Sequence, residues 1–198
     1  MVDLKNIFEN IQDGTVLAFY RNDFIGSIVP FATKEKKGEK APHHVAIVYE
    51  VKRKISDNYE ICTFKQSEQG FHGGKYREIN IFKYQDIFYT TDEYYLKQDF
   101  IKMFKIKMTQ QQVQIGIEDA ISQIGKKYGY NRLIFASEFI EKILPKKLRN
   151  YLFIKLNKVQ KRRICSTHIA LNLKKAGFAI PENEIFSPLE IIKLIEKL

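Results

Sequence analysis

The chain contains only two cysteines among its 198 residues, Cys62 and Cys165, and more than a hundred positions separate them. Two such cysteines do not make a disulfide framework, and with only four histidines they do not form a zinc-binding pattern. We therefore expect no metal and no other cofactor. A reducing compartment fits this cysteine content best, and it also suits a reactive thiol.

Membrane and export signals are also lacking. No uninterrupted apolar run approaches the roughly 18 residues that a membrane span needs. The first residues lack the basic segment and apolar block of a signal peptide, so we expect a cytoplasmic protein. There is no internal repeat or low-complexity tract, and 44% of the residues are hydrophobic. The simplest prediction is a single globular domain over residues 1–198.

The charge is strongly unbalanced, with 33 basic and 23 acidic residues and a net charge of +10. The excess lies in segments 34–40, 142–149 and 155–163. We interpret these runs as solvated surface, with attraction to an anionic membrane surface as the alternative. No nucleic-acid-binding signature accompanies them, so we expect no nucleic-acid partner. The sequence leaves the oligomeric state open.

The segment 161–177 (KRRICSTHIALNLKKAG) predicts a helix that Cys165 or Ser166 caps and Gly177 ends. A cysteine in the first turn of a helix lies where unpaired N–H groups and the helix dipole favour an anion. This position lowers the pKa of a thiol and favours the nucleophilic thiolate. The alternative is a small apolar side chain that packs beneath the helix. His168 lies on the same helix face, and we interpret it as a structural imidazole.

A second segment, 41–51 (APHHVAIVYEV), predicts a largely buried strand that begins at His44. A histidine at the start of a strand can act as general base to a cysteine that is distant in sequence.

Other patterns predict strands at 15–20, 59–64 and 78–82, with a loop over 66–74. Thr109 and Ser187 each precede a predicted helix, with Gln112 and Glu190 three residues later, which is typical of capping boxes. The helix after Thr109 has an apolar face of Val113, Ile117, Ala120, Ile121 and Ile124. Because strands dominate the first half of the chain and helices the second, we predict an α+β fold with an antiparallel sheet.

Five short blocks, in order, resemble those of the circularly permuted NlpC-type papain-like amidases and cysteine peptidases (the YiiX-like group). They are DGTVL at 13–17, HVAIVYE at 44–50, GKKYGY at 125–130, ICSTHI at 164–169 and FSPL at 186–189. The resemblance covers roughly residues 11 to 190. It implies an antiparallel sheet or small barrel packed against helices, with Cys165 as nucleophile and His44 as base.

The residue that would orient the base is less clear, because the family's Glu or His is replaced by Ile61-Cys62-Thr63. The candidates for this third position are Thr63, Cys62, Glu60, Gln66 and Glu68. Cys62 itself is interpreted as a buried small apolar residue. Thr167 also replaces a glutamate that the family carries two residues after the nucleophile.

For the oxyanion or substrate, the candidates are Tyr128 and Tyr130, whose segment matches a family block, and His43. Packing is the alternative role for both tyrosines.

The resemblance implies a cysteine-dependent amide hydrolase that acts on small peptide, acyl-amide or wall-type amide substrates. One alternative is lipid acyl hydrolysis or transfer of the lecithin–retinol acyltransferase type, for which an anionic membrane would be the partner. The other is a catalytically inactive, ligand-binding relative, which the departures from the family pattern keep open.

Overall fold

The fold is α+β, as predicted, and its sheet is a curled half-barrel of six antiparallel strands. The structure, a computed structural model, describes residues 2–21, 42–70, 73–127, 145, 148, 163–181 and 186–198. The strand order is β5-β4-β3-β2-β1-β6. The described elements are α1 (Leu4–Asn10), β1 (Val16–Tyr20), β2 (His44–Ile55), β3 (Glu60–Gly70), β4 (Gly73–Tyr84), β5 (Ile87–Thr90), α2 (Glu93–Leu96), β6 (Phe100–Phe104), α3 (Gln110–Ser122), α4 (Cys165–Lys175) and α5 (Pro188–Ile195).

The sheet is covered on both faces, and each face has its own apolar cluster. On one face, Val45 and Ile47 of β2 pack with residues of α4 and α5. On the other face, Ala46 and Val48 pack with residues of α1 and α2. Strand β1 and residues 45–49 of β2 are thus buried on both sides, which explains why their sequences, VLAFY and VAIVY, are continuously apolar.

The two predicted capping boxes are confirmed. Thr109 and Gln112 close the start of α3, and Ser187 and Glu190 close the start of α5. Each pair satisfies backbone N–H groups that have no partner within the helix.

The predicted cap of α4 is wrong, because this helix begins at Cys165 and its cap position is occupied by Ile164. Ile164 has an extended backbone, with φ −98° and ψ 168°, and its side chain offers no cap. The Ser166 hydroxyl instead donates a hydrogen bond to the Phe186 carbonyl, which ties the start of α4 to the approach to α5.

The predicted loop at 66–74 is also wrong in its larger part. Strand β3 continues to Gly70, and β4 begins at Gly73. Gln66, Ser67 and Gln69 are fully buried although they are polar, and each makes a side-chain hydrogen bond. Because each of these side chains makes a hydrogen bond inside the protein, a polar sequence that is typical of a surface loop here forms a central strand.

A β-bulge in β2 changes the pairing of β2 with β3. Lys52 pairs with Thr63, whereas Tyr49 pairs with Lys65, so β2 has one extra residue between these pairs. Glu50 has a left-handed backbone there, with φ 54°. A one-residue shift moves side chains to the opposite face of a strand pair. The bulge therefore decides which residues of β3 share a face with His44.

The predicted apolar face of α3 is confirmed in part. Val113 and Ile117 pack against the core and Ala120 is buried, whereas Ile121 and Ile124 are about half exposed. Gly116 and Asp119 are also buried. Asp119 is accepted in the interior because Arg163 and Lys175 both pair with it.

Among the residues that the structure describes, no helix has both the length and the apolar character to cross a membrane.

Candidate active site

The Cys165 sulfur lies at the N-terminal end of α4, against the first residues of β2. Helix α4 packs across β2 and β3, and the backbone N–H groups of Val45 and Ser166 donate hydrogen bonds to the sulfur. A polar cap side chain would bind the N–H group of the second or third helical residue. Because Ile164 has no such side chain, the N–H group of Ser166 remains available to the sulfur.

The two residues expected to meet, Cys165 and His44, do lie in hydrogen-bonding contact. His44 is the first residue of β2, so its ring stands at the edge of the sheet. The Nε2 atom of His44 lies 3.2 Å from Oε2 of Glu68. This leaves Nδ1 to face the thiol. Cys165 is 3% exposed and the His44 side chain 12% exposed, so the imidazole is the more accessible of the two.

Glu68 reaches the ring because the bulge at Glu50 shifts the strand pairing. Ile47 pairs with Ser67, which sets Glu68 opposite Ala46 and on the same face as His44. If the register in which Lys52 pairs with Thr63 continued without the extra residue, Glu68 would pair with Ile47 and lie on the opposite face from His44. Glu68 is one of the candidates named from the sequence for the third position.

The electrostatics of these three side chains favour a thiolate, an imidazolium and a carboxylate. Burial alone lowers the pKa of His44, but hydrogen bonds and charges from Cys165 and Glu68 outweigh it and raise the pKa to about 10. Burial raises the pKa of Cys165, yet the contact with His44 and the two N–H groups bring it below its ordinary value. Burial also opposes ionisation of Glu68, but the hydrogen bond to His44 and the charges of His44 and Arg77 lower its pKa to about 2.

Further side chains hold Glu68 in place. Gln66 donates a hydrogen bond of 2.6 Å to Oε2 of Glu68, and the Tyr95 hydroxyl donates to Gln66 Oε1 at 2.6 Å. Arg77 Nε lies 3.3 Å from the other carboxylate oxygen, and its guanidinium also pairs with Asp92. Gln66, a candidate for the third position, therefore contacts the carboxylate. Nothing in the sequence pattern singled out Arg77, because its partner lies on a neighbouring strand.

The remaining candidates for the third position lie away from the imidazole. Glu60 pairs with Lys83 at 2.5 Å, and the Thr63 hydroxyl donates to Asn80 Oδ1 at 2.6 Å. Cys62 is fully buried in the apolar cluster beneath α1, as expected for a small apolar residue. All three lie at the far half of β3, at least five residues from Glu68. At roughly 3.3 Å per residue they are too distant to orient His44.

Of the oxyanion or substrate candidates, Tyr128 and Tyr130 lie outside the described residues. His43 is described and is 8% exposed, and its Nε2 lies 3.5 Å from the Tyr94 hydroxyl. Its backbone N–H donates to the Phe19 carbonyl at 3.0 Å, which continues the pairing of β1 with β2. Within the described ranges, no group of three or more His, Cys, Asp or Glu side chains is arranged to hold a metal ion.

The site is thus a buried cysteine at a helix start, an imidazole at a strand start and a carboxylate on the next strand. Comparison of the chain with protein-family models, with curated proteins and with solved structures gives no match. The arrangement of the three side chains is therefore the basis for any statement about function.

Proposed function

We propose that this protein is a cysteine-dependent amide hydrolase of the permuted papain-like type. The observation that carries the proposal is the contact of Cys165 with His44, whose far nitrogen binds Glu68. A nucleophile, a base and a residue that orients the base are the three parts that covalent amide hydrolysis requires. The resemblance of five sequence blocks to the YiiX-like group supports the same class.

In the proposed reaction, the Cys165 thiolate attacks the carbonyl carbon of an amide. The bond between sulfur and carbon forms, and the carbonyl electrons move to the oxygen. In this proposal, backbone N–H groups at the start of α4 stabilise the negative charge that develops on the oxygen. Protonated His44 gives its proton to the leaving amine, and the carbon–nitrogen bond breaks. Water, deprotonated by His44, then hydrolyses the thioester, and Glu68 holds the ring throughout.

The test is the pH dependence of thiol alkylation by iodoacetamide, in a Cys62→Ala background so that Cys165 is the only cysteine. We expect Cys165 to react faster at pH 6 than a free thiol does, because the contact with His44 and the two N–H groups lower its pKa. His44→Ala should restore the steep rise towards pH 8.5 that a free thiol gives. A free-thiol profile in the parent protein would refute the proposal.

Glu68→Gln tests the third position, with Glu60→Gln as matched control on the same strand. The first variant keeps the size of the side chain but removes the charge next to His44, and we expect a higher apparent pKa of Cys165. The control removes a carboxylate that pairs with Lys83 at the far half of β3, and its profile should match the parent. Equal profiles for both variants would exclude Glu68 from the site.

The substrate class follows from product analysis. Incubation with short wall-type peptides should release free amines, whereas release of fatty acid from phospholipid vesicles would instead favour the lipid acyl alternative. Cys165→Ala is the control for both assays.

A further inference from the structure

A second cluster of buried polar side chains lies on the other side of α4. Asp119 of α3 is paired through both carboxylate oxygens with Arg163, which comes two residues before Cys165. The distances are 2.5 Å from Nη1 to Oδ2 and 3.0 Å from Nη2 to Oδ1. Arg163 and Asp119 are both buried. No sequence pattern predicts this ion pair, because 44 positions separate the two residues.

The cluster continues from Arg163 to the strand that carries Glu68. Arg163 Nη1 lies 3.4 Å from Nδ1 of His168, and His168 Nε2 lies 2.7 Å from the Ser67 hydroxyl oxygen. A guanidinium only donates, so His168 must accept at Nδ1 and donate to Ser67 from Nε2. Burial, together with the positive charge of Arg163, lowers the pKa of His168 to about 3 and keeps this ring neutral.

These contacts join the helix of the nucleophile and the strand of Glu68 to each other and to α3. Asp119 belongs to α3, His168 to the helix of the nucleophile, and Ser67 directly precedes Glu68 on β3. The helix start itself has no side-chain cap, unlike α3 and α5. Contacts other than a cap must therefore hold the first turn of α4, and the hydrogen bond from Ser166 to the Phe186 carbonyl is one of them.

We propose that the Asp119–Arg163–His168–Ser67 chain is a positioning device that holds the Cys165 sulfur against His44. This proposal rests on the proposed function. All four residues are buried, and their side chains bind one another. They fix the position of the first turn of α4. That position in turn determines the hydrogen bonds that the sulfur receives from Val45, Ser166 and His44.

Arg163→Lys is the discriminating variant because it keeps the positive charge and removes the planar fork that binds both oxygens of Asp119. If the ion pair with Asp119 holds the first turn of α4 in place, the Cys165 sulfur moves away from its hydrogen-bond donors in this variant. The apparent pKa of Cys165 then rises. We expect the midpoint of the pH–alkylation profile to move up by about one pH unit, which corresponds to a rise of one pKa unit.

Lys175→Ala is the matched control. Lys175 pairs with the same carboxylate at 2.5 Å, but it lies at the last turn of α4 and is half exposed. Its loss should leave the alkylation profile unchanged, even if the thermal midpoint falls as much as in Arg163→Lys. If Arg163→Lys does not fold, Ser67→Ala tests the other end of the Asp119–Arg163–His168–Ser67 series by the same alkylation profile.

The outcomes separate this proposal from the proposed function. A free-thiol profile in the parent protein overturns both. If the apparent pKa of Cys165 is low in the parent and unchanged in folded Arg163→Lys, only the positioning role is overturned. The same holds for folded Ser67→Ala where it is used in place of Arg163→Lys. A raised apparent pKa in that variant with an unchanged Lys175→Ala control supports it.

Discussion

Gly116 lies in α3 at the point where this helix crosses the fully buried ring of Tyr49. A Cβ atom at Gly116 would lie 2.3 Å from the Tyr49 hydroxyl oxygen and 2.6 Å from Cζ, whereas ordinary contact begins at 3.4 Å. The ring would have to retreat by about 1 Å in a close-packed interior. That movement would also break the hydrogen bond from the Tyr49 hydroxyl to Asn172.

We predict that Gly116→Ala destabilises the fold, although alanine is the better helix former. Overpacking costs about 1–3 kcal/mol, and loss of the Tyr49 hydrogen bond adds about 1 kcal/mol. The gain in helix propensity offsets about 1 kcal/mol. The free energy of unfolding should therefore fall by about 1–3 kcal/mol, measured by urea unfolding with circular dichroism.

Two variants test the cause of this effect. Gly70→Ala is the control, because a Cβ there meets nothing within 4 Å, and we expect a change within about 0.5 kcal/mol. Tyr49→Phe removes the nearest contacting atom but leaves Cζ in place, so the double variant should lose less stability than the sum of the two single changes. A Gly116→Ala protein as stable as the parent, or strict additivity, would refute the close-contact reasoning.

Two further predictions concern stability. His168 has a pKa of about 3 in the folded protein and 6.5 ordinarily, so below pH 6.5 the unfolded chain binds the proton more readily. The stability advantage of the parent over His168→Gln should shrink by up to about 1.4 kcal/mol per pH unit between pH 6.5 and 3, seen in urea titrations, and a constant difference would contradict this. At the bulge, Glu50→Gly should be more stable than Glu50→Ala by about 1 kcal/mol: both lose the contacts with Tyr76 and Lys65, but only alanine is strained at φ 54°. Equal melting temperatures would argue against the left-handed backbone.

The sequence analysis located the local features well, because local features depend on neighbouring residues. The capping boxes before α3 and α5, the helix that carries Cys165 and the buried strand that begins at His44 all follow from spacing and residue type. The sequence-based prediction was wrong where polar residues are buried. The polar segment after Phe64 looked like a loop, yet its side chains are hydrogen-bonded inside the protein.

By itself, the sequence determined that a thiol would stand at a helix start and an imidazole at a strand start, since capping and alternation act within a few residues. Only the tertiary structure decided which carboxylate would meet that imidazole. The choice of Glu68 over Glu60 depends on the pairing of β2 with β3, which sets Glu68 opposite Ala46, near His44, and Glu60 opposite Ile55, at the far end of β2. Such a register is a property of two paired strands. The same holds for Asp119 and Arg163, whose charges are tolerated in the interior only because folding brings them together.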